Sequence, residues 1–283
     1  MSASQSSERL EAQLRAAEPG LARLIRRIPL QESPPLAPDW LRCEMLERYQ
    51  VLHHARPAAG SRVLEVGSGP HAIATVPLAF EIGASGRVIA SERSRWGRFA
   101  EIVEAAGVAA RVSAVRCDAQ RLPLERDAAD LAVCVHGVRS LESGENMVRV
   151  FEEMLRVAPR LFVAESLPAG RTEAQRAHLT MYNLREAVFG ATMGRPDDLH
   201  YLPLAQLTSL IRRAGGRVLW STEVSVDLPH ALAYFPRRLI ENVPDERAKE
   251  ELLIRWDEAN SLRLRVGEDH PPVGAVLAER MSN

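Results

Sequence analysis

Three acidic side chains in this sequence of 283 residues follow successive apolar segments, at positions where they could bind one ligand. Glu65 stands two residues before Gly67, at the end of an apolar run that leads into a Gly-x-Gly turn. Glu92 ends the next apolar run, and Asp118 follows the third. A carboxylate at the first position suits a ligand with an ammonium group and repels a pyrophosphate. The other two could accept hydrogen bonds from ribose hydroxyls and from an adenine amino group.

The glycine turn by itself is compatible with two kinds of cofactor. Gly67 and Gly69 permit backbone angles and a close approach that a Cβ would block, and the following helix presents unpaired N–H groups. Gly67-x-Gly69-x-x-Ala72 also satisfies the dinucleotide fingerprint. A nicotinamide-dependent oxidoreductase is disfavoured, because Glu65 would have to tolerate a pyrophosphate and Asp118 would have no role.

Short apolar runs alternate with helical patterns between residues 62 and 166. We expect strands at 63–66, 87–90, 112–115, 131–135 and 161–164, and helices at 72–82, 94–106 and 146–157. This alternation indicates a parallel α/β sheet with right-handed crossovers. Pro77 falls within one of these helices and should kink it or shorten its hydrogen-bond ladder.

Further helices are expected on both sides of this core. The apolar periodicity predicts helices within 1–57, with Asp39 as an N-cap, and also at 171–190, 204–214 and 230–265. Strands are expected at 217–226 and 273–278. We therefore expect an N-terminal helical extension over 1–57 and a single domain over 58–283, with helical insertions at about 167–200 and 230–265.

The sequence resembles the class I (Rossmann-like) S-adenosylmethionine-dependent methyltransferases, particularly their small-molecule branch. The matching segments are VLEVGSGP (63–70), GRVIASE (86–92), CDAQRLPL (117–124), ADLAVCVHGV (129–138) and FEEMLRVAPRLFVAE (151–165). Residues 201–216 look like the helix before the family's sixth strand, and residues 271–280 look like its antiparallel seventh strand. The resemblance implies an α/β fold with a seven-stranded, mostly parallel sheet, an antiparallel last strand, N-terminal helices and a helical cap. His71 stands where many relatives carry a third glycine.

The resemblance further implies an enzyme that transfers a methyl group from S-adenosylmethionine to an acceptor by in-line displacement, with S-adenosylhomocysteine as product. Proximity and orientation then supply most of the catalysis, and a general base is needed only when the acceptor must lose a proton. The expected cofactor-binding residues are Glu65, Gly67, Ser68, Gly69, His71, Glu92, Arg93, Asp118, Ala119 and His136. The candidate catalytic residues are His136, His178 and Tyr182.

Each candidate catalytic residue also has a structural interpretation. His136 follows the strand at 131–135, at the edge where open α/β sheets bind ligands. It could deprotonate an acceptor, or it could bond the cofactor or a loop carbonyl. His178, Tyr182 and Arg185 would share one face of a helix, which either covers the acceptor or faces solvent. Glu165, after the fifth strand, could orient a substrate or cap a loop.

The composition limits the classes of partner that this chain is expected to bind. The net charge of -1 gives no reason to expect nucleic acid, and no run of 18 apolar residues suggests a spanning helix. Three cysteines without C-x-x-C spacing suggest a reducing compartment and no metal site. We expect a cytoplasmic enzyme with a small-molecule substrate, while the N-terminal helices leave a homo-oligomer open. The alternatives are an RNA or protein methyltransferase of the same fold and a non-catalytic cofactor-binding module.

Overall fold

A computed structural model describes most of the chain, namely residues 3–16, 18–29, 40–93, 96–141, 143–193, 201–228 and 235–281. Asp39, the expected N-cap, lies outside these residues. So do residues 194–200 and 229–234, which belong to the two expected insertions or adjoin them.

In the described part of the chain, seven strands form one sheet in the order β3-β2-β1-β4-β5-β7-β6. The strands are β1 (Arg62–Val66), β2 (Arg87–Glu92), β3 (Val112–Arg116), β4 (Leu131–Val135), β5 (Arg160–Ser166), β6 (Gly216–Val224) and β7 (Val273–Arg280). β1 to β5 pair in parallel, and β7 lies antiparallel between β5 and β6. The predicted mostly parallel sheet with an antiparallel last strand is confirmed.

The order of the strands reverses between β1 and β4, which is where open α/β sheets bind their ligands. Both strands are almost wholly buried, and their sequences, RVLEV and LAVCV, are nearly continuous apolar runs. The exception is Glu65 in β1. The carboxyl ends of β1 to β5 meet along one side of the sheet, which we call the carboxyl edge.

The described α-helices surround this sheet. They are α1 (Ala3–Ala16), α2 (Pro19–Arg27), α3 (Trp40–Leu52), α4 (Thr75–Glu81), α5 (Phe99–Ala106), α6 (Gly144–Val157), α7 (Glu173–Met193), α8 (Leu204–Arg213) and α9 (Glu246–Val266). Ser143 caps α6 by accepting from the Asn146 N–H at 3.2 Å, and Asp245 caps α9 by accepting from the Ala248 N–H at 2.7 Å. No described helix is long and apolar enough to cross a bilayer.

Two helices begin later than the sequence predicts. α4 begins at Thr75 and not at residue 72, because Ala72 has a positive φ of 51° and cannot continue a right-handed helix. Pro77 therefore lies in the first turn. The Val76 and Leu78 N–H groups donate to the Ala72 and Ala74 carbonyls at 3.2 and 2.9 Å, so Pro77, which has no N–H, interrupts this run of hydrogen bonds. The helix is shorter than expected. α5 begins at Phe99 and not at residue 94.

The N-terminal helices are joined to the sheet by a common core. Their apolar stripe, which includes Leu14, Leu21 and Ile25, is fully buried and belongs to the same cluster as Val63 of β1 and Val88 of β2. α7 and α9 share a separate cluster. The core therefore fixes α3 against the carboxyl edge of the sheet.

Candidate active site

Hydrogen bonds to the end of β2 hold the glycine turn. The Gly67 and Ser68 N–H groups donate to the Ser91 carbonyl at 2.9 and 3.1 Å, and the Ser68 hydroxyl donates to it at 3.1 Å. Gly67 and Gly69 have φ angles of 76° and 64°, which a side chain would strain. A Cβ on Gly69 would meet no atom within 4 Å. The turn thus forms the wall of an open cradle.

Glu65 lies deeper in the protein than its place beside the turn suggests. Its side chain is buried, and the Thr75 hydroxyl donates to Oε2 at 2.5 Å. Burial raises the pKa of Glu65 to about 7, although the Thr75 hydrogen bond and Arg48 act in the opposite direction. A positive charge bound nearby would favour its ionised form.

The other two acids flank the cradle at the next strand ends. The Gly69 N–H donates to Glu92 Oε2 at 3.3 Å, which holds this half-buried carboxylate against the turn. Asp118 is exposed, and its Oδ1 accepts from the Gln120 N–H at 2.9 Å. Arg93 is exposed and Ala119 half-buried, each directly after one of these acids. The predicted cofactor residues therefore lie along the carboxyl edge of β1 to β4.

His71 packs against the indole of Trp40, which no sequence pattern marked as a site residue. The His71 and Trp40 rings lie nearly perpendicular, with centroids 6.1 Å apart. Burial, with the nearby Arg98, lowers the pKa of His71, so its ring is neutral at pH 7. Trp40 Nε1 is buried and has no hydrogen-bond partner among the described residues. A lone tryptophan next to the helix start gave no sequence signal for a site.

This edge of the sheet fits S-adenosylmethionine. The cradle at Gly69 offers room for a ligand against the backbone, and three carboxyl groups at successive strand ends suit its ammonium, ribose and adenine groups. The unpartnered Trp40 N–H offers a donor to its carboxylate. The same carboxylates would repel a pyrophosphate, so the residues fit this cofactor better than a dinucleotide.

His136 lies in a strained turn directly after β4. Its φ is 55°, and its backbone N–H donates to the Ala164 carbonyl at 2.9 Å. Nε2 lies 3.0 Å from Glu47 Oε1, and Nδ1 lies 3.3 Å from the Ser166 hydroxyl. Burial, with Arg48 nearby, lowers the pKa of His136 well below 6.5. The ring is thus neutral, and protein groups contact both of its nitrogens.

His178 and Tyr182 line the same small pocket as His136. The His178 and Tyr182 rings lie parallel on α7, with centroids 6.5 Å apart. His178 is buried, and its Nδ1 has no hydrogen-bond partner within the described chain. Burial, with His270 nearby, lowers the pKa of His178 well below 6.5. The structure therefore brings the three candidate catalytic residues around one cavity, which we call the acceptor pocket.

Most of the remaining wall of the acceptor pocket was not predicted. It includes Glu44, Arg48, Arg139, Ser166, Tyr201 and His270. Arg48 Nη2 lies 3.0 Å from Glu44 Oε2, and Arg48 also contacts Glu47. The i, i+4 spacing of Glu44 and Arg48 was visible in the sequence, but such pairs are common on helices. The other residues come from distant segments without a shared pattern.

Glu165 supports the turn after β4. Its Oε1 accepts from the Val138 N–H at 2.6 Å and from the Arg139 N–H at 3.3 Å. Oε2 lies 3.8 Å from His136 Nδ1. Burial raises the pKa of Glu165, although Arg139 lowers it. Glu165 was expected either to orient a substrate or to cap a loop, and this geometry matches loop capping.

Comparisons with known proteins agree with this geometry. A family model described as a methyltransferase domain matches residues 64–160. No curated protein matches the chain. Among solved structures, a cyclopropane-fatty-acyl-phospholipid synthase-like protein from Lactobacillus casei aligns with a TM-score of 0.68 at 14% identity, covering 93% of this chain and 100% of that one.

Two further structures carry the same fold at low identity. An S-adenosylmethionine-dependent methyltransferase from Aquifex aeolicus aligns with a TM-score of 0.51 at 16% identity, over 85% of this chain and 93% of that one. A geranyl diphosphate methyltransferase in complex with GPP and sinefungin aligns with a TM-score of 0.50 at 12% identity, over 83% of this chain and 77% of that one. Together with the family match, the chain thus carries a class I S-adenosylmethionine-dependent methyltransferase domain, and S-adenosylmethionine is its cofactor.

Proposed function

We propose that this chain methylates a small molecule bound in the acceptor pocket, between α3, α7 and the carboxyl ends of β4 and β5. The observation that carries the proposal is that His136, His178 and Tyr182, from two distant parts of the chain, line one cavity with Glu44 and Arg48 of α3. A concave pocket lined by side chains of two helices and two strand ends suits a small acceptor better than a polymer, which would need an extended surface.

On this proposal, the cofactor binds along the cradle beside the pocket. Glu92 accepts from the ribose hydroxyls, Asp118 accepts from the adenine amino group, and Glu65 favours the positively charged methionine portion. The remaining cofactor-binding residues are Gly67, Ser68, Gly69, His71, Arg93, Ala119 and His136. S-adenosylmethionine supplies a methyl group on a sulfonium, which an oriented nucleophile can take in line.

Among the three catalytic candidates, His178 is the best placed to accept a proton. His136 has a protein group at each ring nitrogen, which fixes its orientation and leaves neither nitrogen free for an acceptor. His178 Nδ1 is unpartnered among the described residues and the ring is neutral, so this nitrogen can accept a proton from the acceptor. Tyr182 stacks on His178 and would orient it. His136 then positions Glu47 and Ser166.

On this proposal, both the N-terminal extension and the domain that follows it contribute to the acceptor pocket. α3 belongs to the expected extension over 1–57, yet it supplies Glu44, Glu47 and Arg48, so the extension is part of the acceptor pocket. The domain over 58–283, with its insertions near 167–200 and 230–265, supplies the rest. A homo-oligomer through the N-terminal helices stays a prediction, and it would have to use faces other than their buried apolar stripe.

The experiment that tests the proposal follows a labelled methyl group. The purified protein is incubated with S-adenosylmethionine labelled in its methyl group, in separate reactions with a small-metabolite extract, total RNA and a protein mixture. We expect label in the metabolite fraction alone. The Glu92→Ala variant should transfer less label at limiting cofactor, and Arg213→Met, changed at an exposed side chain, should match the unaltered protein. Label in RNA or protein, or no transfer at all, would contradict the proposal.

A further inference from the structure

Arg139 stands out among the charged groups of the acceptor pocket. Arg48 is paired with Glu44 and Glu47. In contrast, no carboxylate of the described residues lies within 4.0 Å of the Arg139 guanidinium. Its only hydrogen bond to a described residue is a long one of 3.4 Å from Nη1 to the Ser166 hydroxyl. Glu165 accepts from the backbone N–H of Arg139 and not from its side chain.

Aromatic rings hold this guanidinium at the wall of the pocket. Its carbon lies 5.1 Å from the centre of the Tyr182 ring and 6.0 Å from that of Tyr201. Arg185 lies 4.5 Å from the Tyr182 ring. Two guanidiniums against one ring concentrate positive charge at this wall, and the rings fix Arg139 without satisfying its N–H donors.

Two unpartnered polar atoms lie beside Arg139. The Tyr201 hydroxyl and His178 Nδ1 are both buried and have no hydrogen-bond partner among the described residues, and both side chains line the pocket. A buried polar group without a partner has lost its hydrogen bonds to water, so a ligand that pairs with these groups binds more tightly. The Tyr201 hydroxyl can donate, as the guanidinium does.

We propose that the acceptor carries a carboxylate, which Arg139 binds through its guanidinium and Tyr201 through its hydroxyl. This inference rests on the proposed function, because it assigns a substrate class to the same pocket. A guanidinium presents paired donors in one plane, which match two carboxylate oxygens. The cavity has a volume of about 30 Å³, and so small a space favours a planar carboxylate over a bulkier tetrahedral phosphate.

Small anions can test for a carboxylate-binding site before the acceptor itself is identified. Calorimetric titrations with acetate, acetamide and inorganic phosphate are made at constant ionic strength, with S-adenosylhomocysteine saturating the cofactor site. We expect acetate to bind at least about tenfold more tightly than acetamide, which has the same shape without the charge. Equal binding of acetate and acetamide, or tighter binding of phosphate than of acetate, would overturn the carboxylate assignment.

Variants locate the site. Arg139→Met should weaken acetate at least about tenfold, and Arg139→Lys should recover part of that loss, because it keeps the charge but not the paired donors. Tyr201→Phe should weaken acetate about threefold without lowering the Tm, since its hydroxyl has no partner among the described residues. Arg213→Met is the matched control and should bind acetate normally. Unchanged acetate affinity in Tyr201→Phe and in folded Arg139→Met would refute the site.

Failure of this inference can be told apart from failure of the proposed function. S-adenosylhomocysteine is titrated into every variant first. If the unaltered protein binds S-adenosylhomocysteine and does not bind acetate, the carboxylate site is wrong while the cofactor site stands. If no methyl group reaches the metabolite fraction in the labelling experiment, the proposed function fails, whatever acetate does.

Discussion

The cofactor cradle and the acceptor pocket lie along the same edge of the sheet but are built differently. The cradle is formed by short segments that directly follow β1, β2 and β3. Hydrogen bonds to the backbone hold it, since two N–H groups and one hydroxyl of the glycine turn converge on the Ser91 carbonyl. The acceptor pocket is made of side chains from α3, the turn after β4, α7 and the segment before β7. A backbone-built site tolerates changes of sequence around it, whereas a site built from side chains can change its ligand by a single substitution.

The largest effect of a substitution is expected in the acceptor pocket. His178→Gln should lower kcat by about 10²–10³-fold, because the variant loses the nitrogen that accepts the proton. Affinity for S-adenosylhomocysteine should stay within about twofold, as the cradle is untouched. Steady-state kinetics with the acceptor found by labelling, together with calorimetry, measure both.

Asn183→Gln is the matched control for that variant, since Asn183 lies on the same helix and is exposed. It should leave both kcat and the affinity for S-adenosylhomocysteine unchanged. A folded His178→Gln variant with normal kcat would remove His178 from the proton transfer. Loss of cofactor binding instead would show that the two regions are not separable.

The next effect concerns Glu65 and the pH dependence of stability. Its pKa in the folded protein is about 7, above the ordinary value of 4.5, so the folded state favours the protonated acid. This contribution is fully present below pH 4.5 and is lost as the pH rises through 7, at a cost of about 3 kcal/mol. Glu65→Gln should remove that pH-dependent loss.

Urea unfolding of the cofactor-free protein at pH 5 and pH 8 measures this difference. The loss of unfolding free energy between the two pH values should be smaller in Glu65→Gln than in the unaltered protein. Other titrating groups, such as Glu165, contribute to both proteins and cancel in the comparison. Equal losses in the two proteins would mean that Glu65 is already ionised near neutral pH.

Glu92 tests the cradle by itself. Glu92→Ala should weaken binding of S-adenosylmethionine by about 1–3 kcal/mol, through loss of charge-assisted hydrogen bonds. Acetate binding in the pocket should persist once the cofactor product is saturating. Glu125→Ala, at an exposed site, serves as the control in calorimetry. Unchanged affinity in a folded Glu92→Ala protein would contradict the ribose assignment.

The smallest effect is expected at Trp40, where α3 reaches the cradle. Trp40→Phe keeps an aromatic ring against His71 but removes the buried N–H that has no partner among the described residues. We expect affinity for S-adenosylmethionine to fall by about 1 kcal/mol, one neutral donor's hydrogen bond, with no loss of Tm. Higher or unchanged affinity in the titration would place the indole N–H away from the cofactor.

The sequence determined the sheet and the cradle because both depend on local patterns. Apolar runs of the right length predicted all seven strands, and the glycine turn with Glu65, Glu92 and Asp118 located the carboxyl edge. The predictions failed at helix starts. Ala72 takes a left-handed conformation that no propensity assigns to alanine, which delays α4 to Thr75.

Only the tertiary structure decided how the acceptor pocket is made. The sequence proposed His136, His178 and Tyr182, but it gave no reason to add Arg48 from α3, or Arg139 and Tyr201 from segments far apart in the chain. It also could not distinguish His136, contacted at both ring nitrogens, from His178, whose Nδ1 has no described partner. The physical reason is that burial and missing partners depend on which distant segments pack together, and short-range sequence patterns do not record that packing.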